Sequence, residues 1–304
     1  MRKFVVSLFI IVIGLFVVDR IGGEIMWWVN QNTHDVSGPK IKYLANNVKE
    51  EVLLMGTSRC NLHYVPSIIE DSLNMTVYNG GIDASNNIYA HYITLNYVLN
   101  HHKPKVVCLE LMTSDFAKEE NPYNTVTFFA PYVGLNDNAD DVFKDAGLYW
   151  KYQMSHLYRY NAKAMSNIAG LFVNRQEGGD NGYIPLPKPS HFPDEISKDK
   201  LITEIDDNKI HYLSKFIDIC KQNDIKLVFM VSPKCSFAAE NEYKPLKQLA
   251  IKYNIPFIDY HSKGLFLDHL DYFKDTNHLW DKSARLYSAI FAHDLKNIIF
   301  NLGL

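Results

Sequence analysis

The sequence predicts a three-layer α/β/α domain with a parallel sheet, preceded by one transmembrane helix. From residue 51 onward, short apolar runs typical of buried strands alternate with segments whose apolar residues recur at helical spacing. This alternation is typical of parallel strands joined by helical crossovers, with helices covering both faces of the sheet. With 304 residues, 47% of them hydrophobic, the chain is long enough to bury a sizeable core.

The amino-terminal segment is apolar enough to enter a membrane. Two basic residues precede an uncharged run over residues 4–18, and Asp19 follows it. At about 1.5 Å per residue this run spans roughly 22 Å, less than the ~30 Å hydrocarbon core of a bilayer. Trp27 and Trp28 end a further apolar stretch, and no small-x-small cleavage pattern follows the run. We therefore expect residues 1–28 to be an uncleaved signal anchor that leaves the remainder outside the cytoplasm; a cleaved signal peptide is the alternative.

The elements of the domain follow from periodicity and from the glycines and prolines between them. Residues 29–50 are polar and mixed, and we predict a linker there, so that the domain itself covers residues 51–304. Each predicted strand is followed by a turn signal and then by a helical pattern. The predicted strands cover 51–55, 76–81, 105–111, 226–231 and 256–260, and the predicted helices cover 65–73, 86–99, 201–222, 242–253 and 282–301.

Between residues 117 and 200 this alternation is lost, and we interpret the segment as an insertion within the domain. It is rich in Asn, Asp, Gly, Tyr and Pro, with one predicted helix at about 148–172 and a glycine-rich loop at 178–182. A segment this long is usually functional, which favours a lid over a substrate cleft. The alternatives are an extension of the core and a surface for a neighbouring protein. The side chains that could stack on sugar rings in such a lid are Tyr123, Phe128, Phe129, Tyr132, Tyr158 and Tyr160.

The composition excludes several classes of partner and site. A net charge of −3 gives no indication of nucleic-acid binding. The four cysteines are widely spaced without a Cys-x-x-Cys pair, so we expect buried free thiols. The histidines form no zinc pattern, and we expect neither a metal ion nor a cofactor.

Candidate catalytic residues lie where strands end. Ser58 directly follows the first strand, at the carboxyl edge where open α/β sheets place their ligands. A serine nucleophile needs a base, and Asp275 and His278 precede the last helix. His278 would accept the serine proton while Asp275 fixes the imidazole, so we expect His278 within hydrogen-bond reach of Ser58. Backbone amides of the turn 80–85 could stabilise the oxyanion.

These residues resemble the SGNH (GDSL-like) hydrolases. The first block of that family is similar to Gly56-Thr57-Ser58, the second to the turn Asn79–Ala84, the third to the strand end at Ser114-Asp115, and the fifth to Asp275-Thr276-Asn277-His278. The resemblance covers residues 51–116 and 201–300. It implies a catalytic Ser58, Asp275 and His278, with Ala84, Ser114 and Asn79 as oxyanion or substrate-binding residues.

Two residues depart from that family's pattern. Ala84 stands where the second block has its oxyanion glycine, and Ser114 stands where the third block has an asparagine. Loss of one oxyanion donor typically costs about 2.7–4 kcal/mol of transition-state stabilisation. The departures favour the alternative that the protein is a catalytically silent binding or scaffold protein of an envelope polysaccharide system.

An extracytoplasmic domain of this type on a signal anchor is also similar to membrane-tethered proteins that O-acylate envelope polysaccharides. That analogy implies an acylated glycan or an acyl donor as substrate and a membrane-bound acyltransferase as partner. We therefore predict a single domain of flavodoxin-like topology, held at a membrane, that performs serine-dependent ester hydrolysis or acyl transfer on a cell-surface polysaccharide.

Overall fold

The computed structural model describes residues 1–35, 37–85, 87–173 and 180–303. Its main sheet is parallel throughout and confirms the predicted fold class. The strands of the chain are β1 (Val52–Met55), β2 (Val77–Asn79), β3 (Val106–Glu110), β4 (Ser197–Lys198), β5 (Lys226–Val231), β6 (Ser236–Phe237) and β7 (Phe257–Asp259). The main sheet has the order β2-β1-β3-β5-β7, and β4 pairs with β6 separately. Without β4 and β6, this is the flavodoxin-like order 2-1-3-4-5.

Helices cover both faces of this sheet. The α helices are α1 (Arg2–Asn32), α2 (Gly38–Asn46), α3 (Ser58–His63), α4 (Pro66–Leu73), α5 (Ile88–Leu99), α6 (Asp137–Asp145), α7 (Tyr149–Met154), α8 (Ala164–Gly170), α9 (Asp207–Gln222), α10 (Lys244–Tyr253) and α11 (Asp281–Asn301). Four 3₁₀ helices complete the described part: Thr113–Phe116, Asn124–Tyr132, Leu157–Tyr160 and Leu270–Tyr272. The predicted start of α5 at Asn86 lies outside the described residues.

The strands are buried on both faces because side chains alternate along them. In β1, Leu53 and Met55 belong to the core under α2, α5 and α9, whereas Val52 and Leu54 belong to the core under α4 and α11. Full burial on both sides explains why the parallel strands are continuous apolar runs in the sequence. All four cysteines are buried and free, as predicted.

Residues 29–50 were predicted to be a linker, but they form part of the folded domain. α2 lies within this stretch, and its residues Ile41 and Leu44 are buried against the sheet. The apolar residues are few, but they recur at positions 41, 44, 45 and 48, which places them on one helical face. The polar residues between them give the stretch the composition of a linker although it is folded.

The single helix predicted at 148–172 is instead three short helices. α7 ends because Ser155 takes an extended backbone conformation, with φ −125° and ψ 116°. The Asp19 carboxylate of α1 accepts hydrogen bonds from the amides of His156 and Leu157 at 2.8 and 3.2 Å. This acceptor comes from a distant part of the chain, so the local periodicity could not indicate the break. The glycine-rich loop at 178–182 is described only from residue 180.

The prediction of an aromatic lid is wrong. Phe129 and Tyr132 are buried in the core under α5, Tyr160 is also buried, and Tyr123 stacks on Tyr89 with ring centroids 4.8 Å apart. Tyr158 is partly exposed, but its ring lies beside Tyr152 of α7, 5.7 Å away. Phe129, Tyr132 and Tyr123 therefore extend the hydrophobic core, which was one of the alternatives.

α1 is long and apolar enough to cross a membrane. Its apolar run over residues 4–18 is exposed along its whole length. The helix continues without a break to Asn32, and its second half packs against α2, α8 and the 3₁₀ helix at Leu157–Tyr160.

Candidate active site

Ser58 is the first residue of α3, directly after the carboxyl end of β1. Gly56 lies in the turn between them, where the backbone packs closely against neighbouring side chains. A Cβ atom on Gly56 would lie 2.7 Å from Cys60 Cβ and 2.9 Å from Glu110 Cβ. Such distances are too short for any side chain, so the position requires glycine. The close approach of α3 to β3 brings Ser58 to the edge of the sheet.

The structure brings Ser58, His278 and Asp275 together as predicted. Ser58 Oγ lies 2.9 Å from His278 Nε2, and His278 Nδ1 lies 2.9 and 3.0 Å from the two Asp275 carboxylate oxygens. Since the carboxylate can only accept, Nδ1 carries the proton, and Nε2 is left to accept the Ser58 hydroxyl hydrogen. This is the geometry of a nucleophile, a general base and an orienting acid.

Asp275 is fixed by the turn that carries it. Its Oδ1 accepts from the backbone amides of Asn277 and His278 at 2.8 and 3.0 Å. Burial alone would raise the pKa of Asp275, but the hydrogen bonds from His278 and from these amides outweigh it and hold the pKa below its usual value. Asp275 therefore stays ionised and keeps the imidazole in one orientation.

A buried polar network lies behind these three residues, and the sequence analysis missed it. The side chains of Arg59 and Glu110 are each 1% exposed, with Arg59 Nε 3.2 Å from Glu110 Oε1. The Ser232 hydroxyl donates to the same Oε1 at 2.5 Å, and His63 Nδ1 lies 2.9 Å from Ser232 Oγ. A glutamate at the end of an apolar strand and an arginine directly after Ser58 were the signals that could have revealed it.

His63 connects this network to the loop that carries His278. Its Nε2 accepts the backbone amide of Leu279 at 3.0 Å, so its proton lies on Nδ1 and is donated to Ser232. Burial, with the nearby His278 and Arg59, lowers the pKa of His63 well below its usual value. His63 is therefore neutral, and it holds the backbone next to His278 in place.

The predicted oxyanion residues have different environments. Asn79 is fully buried and its amide donates to the carbonyls of Cys60 and Tyr64 at 2.7 and 2.8 Å, so it holds the turn and is not free for a substrate. The prediction for Asn79 is wrong for this reason. Ala84 is exposed in the left-handed region with φ 58°. Among the described residues, its amide has no acceptor.

Ser114 lies just beyond β3, at the same edge of the sheet as Ser58. It is half-buried in a 3₁₀ helix, and its hydroxyl has no hydrogen-bond partner in the described part of the chain. The adjacent Asp115 accepts the Met112 amide at 2.7 Å, and burial raises the pKa of Asp115 to about 7. Ser114 and the Ala84 amide thus remain the candidates for an oxyanion.

A partly buried lysine stabilises the turn near the site. Lys40 of α2 donates to the carbonyls of Gly81 and Gly182 at 2.8 and 2.6 Å, and also to Asn61 of α3. Burial lowers the pKa of Lys40 to about 8. The lysine comes from the stretch predicted to be a linker, so its role could not be foreseen.

One group of side chains has the composition of a metal site. Potential ligand atoms of Asp199, Glu242 and His261 lie within 4.8 Å of one another. The Lys234 ammonium already forms an ion pair with Asp199. Both ring nitrogens of His261 form hydrogen bonds, with Nδ1 2.7 Å from Tyr243 Oη and Nε2 3.0 Å from the Ser236 carbonyl oxygen. The positive charge of Lys234 therefore replaces that of a cation in this cluster.

No protein-family model matches the chain, and no curated protein is similar enough to count as a relative. Among solved structures, a lipolytic protein of the GDSL family from Desulfitobacterium hafniense is similar, with 10% identity, 80% of this chain and 97% of that chain covered, and a TM-score of 0.41. An acylhydrolase from Bacteroides fragilis is 14% identical, with 85% of this chain and 94% of that chain covered and a TM-score of 0.42. A lipase/acylhydrolase from Enterococcus faecalis is 11% identical, with 82% of this chain and 96% of that chain covered and a TM-score of 0.37. Because these similarities are distant, the chemistry of the protein has to be inferred from the geometry of the site.

Proposed function

We propose that the protein is a serine-dependent enzyme that hydrolyses or transfers acyl esters. The observation that supports this most strongly is the continuous chain of hydrogen bonds from Ser58 through His278 to Asp275, each 2.9–3.0 Å long. Neither metal nor cofactor is needed for this chemistry, because the imidazole supplies and removes the protons.

The reaction follows from these positions. As Ser58 Oγ attacks the acyl carbonyl carbon, its proton moves to His278 Nε2, and the carbonyl oxygen becomes an oxyanion. The Ala84 amide and the Ser114 hydroxyl are our candidates to stabilise this charge. The tetrahedral intermediate expels the alkoxide, which takes the proton from His278, and Ser58 is left acylated. Water or an acceptor hydroxyl then loses its proton to His278 and attacks the acyl carbonyl. The bond from the acyl carbon to Ser58 Oγ breaks, and Oγ takes the proton back from His278.

We further propose that the acyl group belongs to a glycan outside the cytoplasm. The apolar helix α1 supports anchoring in a membrane, and the two basic residues before it favour a cytoplasmic amino terminus. Asp275 and His278 retain 49% and 23% side-chain exposure, which suits a bulky acceptor. A membrane-bound acyltransferase would be the partner that supplies the acyl donor.

The competing proposal is a catalytically silent protein that binds the glycan. It is favoured by the short Ser114 side chain and by Ala84, whose Cβ is costly at φ 58°. The two proposals differ in whether Ser58 becomes acylated.

The test uses the full-length chain in detergent with a small p-nitrophenyl ester and a fluorophosphonate probe. We expect ester hydrolysis and covalent labelling, and Ser58→Ala should reduce the hydrolysis rate by about a thousandfold or more and abolish labelling. Ser166→Ala, an exposed serine on α8, is the matched control and should behave as the native chain. A folded native protein that neither hydrolyses the ester nor reacts with the probe would support the silent protein.

A further inference from the structure

The second half of α1 has two different faces. One face packs closely on the insertion, where a Cβ atom on Gly22 would lie 2.9 Å from Leu157 and one on Gly23 would lie 2.3 Å from His156 Cβ. The other face carries Ile21, Ile25 and Trp28, which are exposed. Their spacing of four and three residues places them on one stripe of the helix. The apolar exposed surface therefore continues past the charge at Asp19, but on one side only.

The neighbouring part of the insertion is also apolar and exposed. We name residues 149–160, which contain α7 and the 3₁₀ helix after it, the anchor-side platform. Trp150 and Met154 of this platform are 71% and 69% exposed, and Leu157 and Tyr158 are exposed as well. Large exposed apolar side chains on one short segment indicate a surface that contacts a membrane or another protein.

The platform lies at the level where the apolar run of α1 ends. The Asp19 carboxylate accepts from the Ser155 hydroxyl at 2.5 Å and from the next two amides. Arg20 donates to the Met154 carbonyl at 3.2 Å and lies 4.0 Å from the Asp19 carboxylate. The two charges at the end of the span are thus paired with each other and with the platform, as a low-polarity environment requires.

We propose that the anchor-side platform is seated in the bilayer, at the boundary between headgroups and acyl chains, beside the transmembrane helix. This rests on the proposed membrane anchoring by α1. A span of ~30 Å needs about 20 residues, whereas the uncharged run supplies roughly 22 Å. Counted from Phe4, 20 residues reach Gly23, which contacts His156 of the platform. Lipid at this depth meets the platform on one side of α1 and the Ile21, Ile25 and Trp28 stripe on the other.

Tryptophan and tyrosine favour this boundary because one part of each ring is apolar and another is polar. Lys151, exposed next to Trp150, can reach lipid phosphates. The occupant is therefore lipid, and the domain is held in a fixed orientation on the membrane and cannot swing freely on a tether.

The test places an environment-sensitive fluorophore on single cysteines in the full-length chain, reconstituted in phosphatidylcholine vesicles with or without brominated acyl chains. The native cysteines are buried, so labelling is confined to the introduced ones. The variants are Phe9→Cys in the span, Met154→Cys and Trp150→Cys on the platform, and Ile251→Cys on α10 as a matched control with 81% exposure. We expect brominated lipid to quench labels at positions 9, 154 and 150 severalfold more than the label at 251.

The outcomes separate the two proposals. If the label at position 9 is quenched but those at 154 and 150 behave like the label at 251, the platform does not touch lipid and only this inference is overturned. If position 9 is not quenched, the anchoring itself fails and the inference fails with it. If 154 and 150 remain open to water in pure lipid but become protected in native membranes, a protein covers the platform and the assignment to lipid is wrong.

Discussion

The sheet edge around Ser58 buries its polar groups, whereas the anchor-side platform exposes its apolar ones. At the sheet edge, Arg59, Glu110 and His63 lie in the core and are paired with one another through Ser232. On the platform, Trp150 and Met154 are exposed, and Ser155 and His156 donate hydrogen bonds to Asp19 of α1. On our proposals, the first region holds the reacting atoms of an ester-cleaving site in place, and the second contacts lipid. The comparison teaches that the groups a region exposes depend on whether its surroundings are water or lipid.

The largest effect on the stability of the sheet edge is expected from Glu110→Gln. The change leaves the buried Arg59 guanidinium without a counter-charge, which we expect to lower the free energy of unfolding by about 3 kcal/mol. Glu51→Gln is the control, because its pair with Lys105, 2.7 Å apart, is partly exposed and should contribute less than about 1 kcal/mol. Chemical denaturation in detergent measures both. Equal losses would mean that the network behind Ser58 is no more important than a surface ion pair.

Acid should weaken the sheet edge through His63. The pKa of folded His63 lies well below the usual 6.5, mainly because of burial. The unfolded chain therefore takes up a proton first, and the free energy of unfolding falls as the pH drops below about 6.5, by up to about 1.4 kcal/mol per pH unit. His63→Gln should make this decline shallower between pH 6.5 and 5. An unchanged slope would show that His63 does not control it.

Asp19→Ala should loosen the platform and leave the site intact. Removing the acceptor for Ser155, His156 and Leu157 should cost about 1 kcal/mol locally, seen as roughly fivefold faster hydrogen exchange of residues 155–158. Glu24→Ala, an exposed acidic residue of the same helix, is the matched control and should change little. A comparable loss of p-nitrophenyl ester hydrolysis in Asp19→Ala would contradict the independence of the two regions.

The smallest effect is a gain from Ala84→Gly. Ala84 has φ 58°, which a Cβ atom disfavours, so glycine should stabilise the turn by up to about 1 kcal/mol. Asn74→Gly is the control: Asn74 has φ 54° at the end of α4, but asparagine tolerates this region, so less should be gained. Thermal unfolding of the two variants tests the difference. A loss of stability in Ala84→Gly would mean that the Ala84 methyl group makes contacts that matter more than its backbone strain.

The sheet, its order of strands and helices, and the meeting of Ser58 with Asp275 and His278 could all be predicted from the sequence. Buried parallel strands are continuous apolar runs, and covering helices repeat their apolar residues every three or four positions, so both are visible locally. The carboxyl ends of parallel strands share one edge, which brought residues 58 and 278 together although 220 positions separate them.

Which polar groups are buried, and where the insertion packs, depends on contacts between distant segments and could not be predicted from the sequence. The break of the helix predicted at 148–172 depends on the Asp19 carboxylate, and the role of Lys40 depends on carbonyls at residues 81 and 182. These partners are far apart in sequence, and hydrogen bonds between distant segments leave no periodic trace in either one. The spacing of the aromatic residues in the insertion would be the same whether their side chains lined a cleft or filled a core. Only the position of α5 beneath them placed Phe129 and Tyr132 in the core.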